Sequence, residues 1–114
     1  MKVISTSNAE HYKWGENSDG WHLLKRDDVS VIQELVPAGQ AEVNHRHNIS
    51  RQFFYILAGV GTMQIGDDSI TLIQGDAVEI PPGTANQFRN DSAEDVSFLV
   101  ISFPKSHSDR INLE

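Results

Sequence analysis

Two histidines separated by a single residue, His45 and His47, are the side chains of this chain best suited to chemistry. The stretch around them reads as extended. Alternate residues of a strand share a face, so both imidazoles point the same way, about 6–7 Å apart at the backbone. Gln52 follows after Asn48-Ile49-Ser50-Arg51 and opens the apolar run QFFYIL. Three side chains with nitrogen or oxygen lone pairs can thereby converge on one point. That is what a divalent metal needs, with bonds from histidine of about 2.0–2.1 Å in the case of zinc. The same residues also suit hydrogen bonding inside a polar pocket. With no metal to hold them, the imidazoles titrate near neutral pH and suit general acid–base work.

The elements that must position these residues are strands. Hydrophobicity alternates with a period of two over nearly the whole chain, predicting strands at Trp21–Lys25, Val29–Val36, Ala41–His47, Gln52–Leu57, Gly61–Ile65, Ser69–Ile73, Ala77–Ile80, Ala85–Arg89 and Val96–Phe103. Turn formers separate them, among them Pro37-Ala38-Gly39, Gly66-Asp67-Asp68 and Pro81-Pro82-Gly83. Short strands at this spacing predict an all-β, antiparallel jelly-roll barrel. Ser7 and Glu10 fit a helical capping box, but Gly15 and the polar residues after it leave little helix to cap. The expected organisation is an N-terminal arm over residues 1–20, a barrel over 21–104 and a polar tail over 105–114.

Two blocks of residues then carry a resemblance. Gly39, His45, His47, Gln52 and Gly59 form the first, and Gly75, Pro81, Gly83, Asn86 and Asn90 the second. Their spacing is similar to the two motifs of the cupin superfamily, in which a His-x-His and a Glu in the first motif and a His in the second hold a metal. The resemblance covers Gly39 to Asn90 and implies a double-stranded β-helix. It also implies that His45, His47, Gln52 and Asn86 stand where the metal ligands stand in metal-dependent cupins. Here Gln52 replaces the Glu and Asn86 the His. Neutral amide oxygens bring no charge and are poorer donors for zinc, nickel, iron or manganese than imidazole or carboxylate. A metal held here keeps its full dipositive charge and favours an anionic chelating ligand.

Strand parity extends the site. If Gln52 faces inward, so do Phe54 and Ile56; if Asn86 does, so does Phe88. A small polar cluster against aromatic walls is how small-molecule sites are built. On the opposite face, Phe53, Tyr55 and Leu57 point outward, and neither face of VSFLVISF is polar throughout. Such a sheet must be covered, by the arm or by a second copy of the chain; a homodimer is expected. Trp14, Trp21 and His22 are expected to close a barrel end, and His11 and His107 to lie in solvated terminal segments. Arg51, beside the cluster, suits an anionic ligand or the surface.

Composition bounds the rest. A chain of 114 residues with 39% hydrophobic and 22% charged residues matches one globular domain. It has no cysteine, which excludes disulfides and thiolate chemistry. No apolar run reaches the ~18 residues of a membrane span, and the first residues lack a signal-like apolar segment, so a cytoplasmic location is expected. The net charge of −7, with no basic stripe, argues against nucleic acid as a partner. No phosphate-cradling glycine loop and no nucleophile elbow is present. Three functions stay open: a small-molecule-binding barrel with a degenerate divalent-metal site, a metal-dependent enzyme on a small carboxylate or sugar-like substrate, and an interaction or regulatory domain.

Overall fold

The computed structural model describes residues 2–106 and 109–113, so His107 lies outside it. The described residues form eleven strands and no helix: β1 Glu10–Trp14, β2 Ser18–Lys25, β3 Ser30–Val36, β4 His45–His47, β5 Arg51–Ala58, β6 Gly61–Ile65, β7 Asp68–Leu72, β8 Ala77–Ile80, β9 Asn86–Arg89, β10 Val96–Phe103 and β11 Arg110–Asn112. They make two antiparallel sheets, one of six strands in the order β1-β2-β3-β10-β5-β8 and one of five in the order β11-β4-β9-β6-β7. This is the antiparallel jelly roll that the two-residue period predicts.

Three segments depart from the sequence reading. Residues 10–14, read as part of an arm, pair with β2 in register from Glu10↔His22 to Trp14↔Ser18. The capping box does not form. Asn8 Oδ1 instead accepts the Ser5 amide at 2.9 Å, closing a turn that delivers Glu10 into β1. Residues 110–112, read as tail, pair with β4, Arg110 opposite His47 and Asn112 opposite His45. The Asp109 carboxylate fixes this segment by accepting the backbone N–H groups of Asn48, Ile49 and Ser50 at 3.2, 3.0 and 2.7 Å. Those bonds hold its carboxyl below the ordinary range. The strand expected from Ala41 is cut to His45–His47: the Glu42 amide still donates to the Phe88 carbonyl at 3.0 Å, but the Phe88 N–H goes to the Glu42 carboxylate at 3.1 Å and not to a backbone carbonyl.

Cross-strand neighbours share a face, so inward residues line up in rows across the six-stranded sheet. One row runs Tyr12, Gly20, Glu34, Phe98, Ile56; the next His22, Ile32, Val100, Phe54, Val78; the third Lys25, Ser30, Ser102, Gln52, Ile80. Phe54, Phe88 and Phe98 meet between the sheets, with ring centroids 4.2–6.3 Å apart. With Met63, Ile56, Val36 and Val96 they pack one part of the barrel solid. Gly59 is required where β5 turns into β6. Its φ is +86°, and a Cβ there would press on the Asp95 carbonyl and the Val96 backbone. Asn90, fully buried, staples the loop before β10 by donating to the carbonyls of Val36 at 2.9 Å and Glu94 at 2.7 Å.

On the outer face, Tyr55 and Phe103 are 38% and 40% exposed, beside half-buried Phe53, Leu57, Leu99 and Ile101. The N-terminal segment adds to the sheet edge and does not cover this face. No helix of the described residues is long and apolar enough to cross a membrane.

Because Phe98 packs against both other rings, Phe98→Ala is expected to cost roughly 3–5 kcal/mol in urea unfolding. Ile73→Ala, at a position 54% exposed, is expected to cost much less. Equal costs at the two positions would show that the ring cluster is not the core.

Candidate functional site

Above the phenylalanine cluster the barrel is not filled. A cavity of about 270 Å³ remains, and His45, His47, Gln52, Phe54, Tyr12, Glu34, Glu42 and Arg110 are on its wall. The first four were expected there. Asn86 is buried and directly opposite His45 in the ladder, but it is not on the wall. Its Nδ2 donates to the carbonyls of Thr84 at 3.1 Å and His45 at 3.4 Å, so it braces β4 from the adjacent strand, on the same inward face as His45. Ile56 and Phe88 also face inward yet belong to the solid core beneath the cavity, because parity gives the face of a residue and not its depth in the barrel. Arg51 faces away and pairs with Glu79 at 2.6 Å.

The two imidazoles are preset. His45 is 2% exposed, and its Nδ1 lies 2.9 Å from the Val43 carbonyl, so Nδ1 carries the proton and Nε2 keeps its lone pair. Burial, above all, pushes its pKa down to about 4. Burial and the nearby Arg110 charge push His47 down as well. Both rings are therefore neutral at pH 7. Their centroids are 5.0 Å apart at an interplanar angle of 81°. Gln52 donates through Nε2 to Ser102 Oγ at 3.0 Å. Among the described residues, His47 Nδ1, Gln52 Oε1 and Asn86 Oδ1 are buried without a hydrogen-bond partner. Buried polar atoms are normally paired, so three orphans in and beside one cavity point to a polar guest.

Those donors fit a divalent ion in type. Two imidazoles that meet one ion at about 2.0–2.1 Å place their ring centroids roughly 5 Å apart. The set is thin: among the described residues, no three His, Asp, Glu or Cys side chains come together as a metal-holding group.

Opposite the histidines lies an acidic group that the sequence reading did not single out. Glu34 occupies an inward position of β3 between Ile32 and Val36, and Tyr12 Oη donates to its Oε2 at 3.3 Å. Tyr12 reaches it by lying across Gly20, where any Cβ would collide with the ring. Burial and the neighbouring Glu42 push the Glu34 pKa up to about 8. Glu34 keeps some accessible surface, but it titrates as a buried group because that surface faces the cavity. Burial raises Glu42 to about 7 against the pull of Arg110, whose guanidinium is 3.9 Å away. Glu42 also lies 3.9 Å from His45 Nδ1, which forms no ion pair since that ring is neutral. The signal for Glu34 was present in VIQELV, where parity puts an acid on the inward face. Arg110 had none, since its position depends on the pairing of β11.

The comparisons agree with this architecture. The family model of the Cupin domain matches residues 31–102. An uncharacterized protein of Methanocaldococcus jannaschii, MJ1618, is 33% identical over 94 residues, covering 82% of this chain and 75% of that protein. The chain therefore belongs to the cupins. Among solved structures, a predicted oxalate decarboxylase from Thermotoga maritima superposes with a TM-score of 0.84 at 18% identity, covering 91% of this chain and all of that one (100%). The polyketide cyclase RemF from Streptomyces resistomycificus superposes with a TM-score of 0.85 at 17% identity, covering 100% and 86%. At such identities the likeness is one of fold, and the fold hosts diverse chemistries.

The shifted groups predict the pH dependence of stability. Between the usual 4.5 and about 8, folded Glu34 keeps a proton that the unfolded chain releases, so stability falls as pH rises through that window. Neutral folded His45 acts oppositely, with stability lost as pH falls from 6.5 toward about 4. Above pH 6.5 the carboxyl effect stands alone. Wild type is expected to melt at lower temperature at pH 8 than at pH 6.5, and Glu34→Gln is expected to lose clearly less over that interval. Identical losses in thermal scans would show that Glu34 is ionised in the folded state.

Proposed function

We propose that the protein binds a small organic molecule in the barrel cavity, beside a weak divalent-metal site anchored by His45 and His47. The observation that carries this reading is the set of unpartnered buried donors on a polar wall inside an otherwise apolar barrel. The cavity is slightly smaller than the roughly 300–1,000 Å³ of sites for drug-sized ligands, which favours a compact guest. Gln52 Oε1 is the third donor on the wall, and Asn86 acts by holding β4 in place. His45 and His47 would hold a divalent ion, which would supply Lewis-acid polarisation of a ligand oxygen. The protein's own groups supply the rest: Arg110 donates to a carbonyl or hydroxyl oxygen, Ser102 positions the Gln52 amide, and Phe54 gives an apolar floor.

A second reading, enzymatic acid–base chemistry on the bound molecule, is favoured by Glu34. Its carboxyl is held by Tyr12 and titrates close to neutral, the range a proton-transferring group needs. The half-exposed outer face of β5 and β10 supports the further proposal that two copies associate through it. A cytoplasmic location accords with both readings.

Elemental mass spectrometry of protein purified without a tag or chelator is expected to find a divalent metal in wild type and none in the His45→Ala/His47→Ala variant. Gln52→Glu is expected to raise metal affinity about tenfold or more, since a carboxylate replaces a neutral donor. Protein that stays empty when zinc, nickel, iron and manganese are added would remove the metal and leave an organic-ligand pocket. In light scattering coupled to size exclusion, the expected mass at micromolar concentration is twice the 12.7 kDa of one chain; a monomer would refute pairing through the outer face.

A further inference from the structure

A second depression, of about 450 Å³, adjoins the cavity at the barrel mouth and shares Tyr12, Ile32 and Ser106 with it. Its charge is unlike that of the rest of the molecule. Among the described residues, Lys25, Arg26 and Lys105 line it against one lining carboxylate, Asp27, in a chain of net charge −7. Lys105 is held by Asp27 at 2.9 Å, and Lys25 approaches Glu10 at 3.3 Å. Arg26 has no ion-pair partner among the described residues.

Two local features build this groove. In β2 one extra residue, Leu23, sits between His22, which pairs with Ile32, and Leu24, which pairs with Val31. A bulge reverses the parity of the strand beyond it and re-aims its side chains. Without it Lys25 would face away from the barrel; with it Lys25 lies opposite Ser30, in the inward row of Ser102 and Gln52. The Lys105 amide donates to the Asp27 carbonyl at 3.2 Å, which brings the end of β10 against the turn that carries Arg26. On the groove wall lies His22, its ring 5.0 Å from that of Tyr12; its Nδ1 is buried and has no hydrogen-bond partner among the described residues. Cations from two chain segments thus face one space, with the His22 ring on its wall.

We propose that this groove is an oxyanion subsite. It receives the phosphate or carboxylate end of an elongated small molecule whose other end enters the cavity toward His45 and His47. The proposal rests on the reading of that cavity as a small-molecule site and assigns the direction in which the molecule lies. On the inner wall the charge of Arg110 is offset by Glu42 at 3.9 Å, while the groove offers Arg26, free of any ion pair among the described residues, beside Lys25 and Lys105. The anionic end therefore stays at the mouth, and the inner donors take hydroxyl, carbonyl or amide groups.

The test is titration of the ¹⁵N-labelled protein at pH 7 with inorganic phosphate and, separately, with acetate, followed by amide and imidazole resonances. Saturable shifts centred on Lys25, Arg26, Lys105 and His22, weakened roughly tenfold in Arg26→Glu by the reversed charge, are expected for at least one anion. The anion with the tighter midpoint separates phosphate from carboxylate recognition. Arg26 is exposed, so the variant is expected to fold, and its unshifted spectrum away from the turn checks this. Shifts that do not saturate, that are unchanged in Arg26→Glu, or that centre on His47 and Arg110 overturn the proposal. A zinc titration of the same sample separates the two readings. Zinc-induced shifts at His45 and His47 with a groove silent to both anions would discard the mouth subsite and leave the inner cavity reading intact.

Discussion

Everything in this barrel depends on how far its aromatic filling extends. Phe54, Phe88 and Phe98 occupy the space between the sheets at one level, and their packing with Met63 and Ile56 leaves no room there for any guest. Burial of each such ring contributes about 1.5–3 kcal/mol. Beyond that level the filling stops. The inward positions of β5 and β10 pass from phenylalanine, isoleucine and valine to glutamine and serine, with the histidines of β4 across from them, and a cavity follows. Polar groups there are tolerated because the solid part of the barrel supplies the stability to hold them unsatisfied.

The two walls of the cavity differ in chemistry because they come from different sheets. The histidines stand on the five-stranded sheet, braced by Asn86 of β9 on one side and by the pairing of β11 on the other. The carboxyls come from β3 of the six-stranded sheet and the segment before β4, and Tyr12 reaches Glu34 because Gly20 has no side chain to block it. Burial drives the two kinds of group in opposite directions in pKa but toward the same state. Imidazoles lose their proton and Glu34 keeps its own, while Glu42, raised to about 7, is partly ionised beside the Arg110 charge, so the site approaches neutrality near pH 7. A neutral interior beneath a cationic mouth is an electrostatic arrangement quite different from the acidic outer surface.

Much of the barrel was legible in the chain. A period of two names strands, Gly and Pro name turns, and the two motifs place His45, His47 and Gln52 on one surface because register and parity are local rules. Those rules stop at the edge of each strand. They gave Phe54, Ile56 and Phe88 the same inward direction, and only the packing of the sheets separates the cavity wall at Phe54 from the core at Ile56 and Phe88. They also assume uninterrupted strands, and so missed the bulge at Leu23 that turns Lys25 inward.

The sequence by itself determined the fold class, the inward faces and the pair of imidazoles, since each follows from the alternation of side chains along an extended backbone. Tertiary structure alone decided the depth of each residue, the recruitment of Arg110 by a strand too short and polar to read as one, and the meeting of Tyr12, Glu34 and Glu42. Those outcomes come from segments far apart in the chain, brought together by pairings such as Arg110↔His47 that no local pattern encodes.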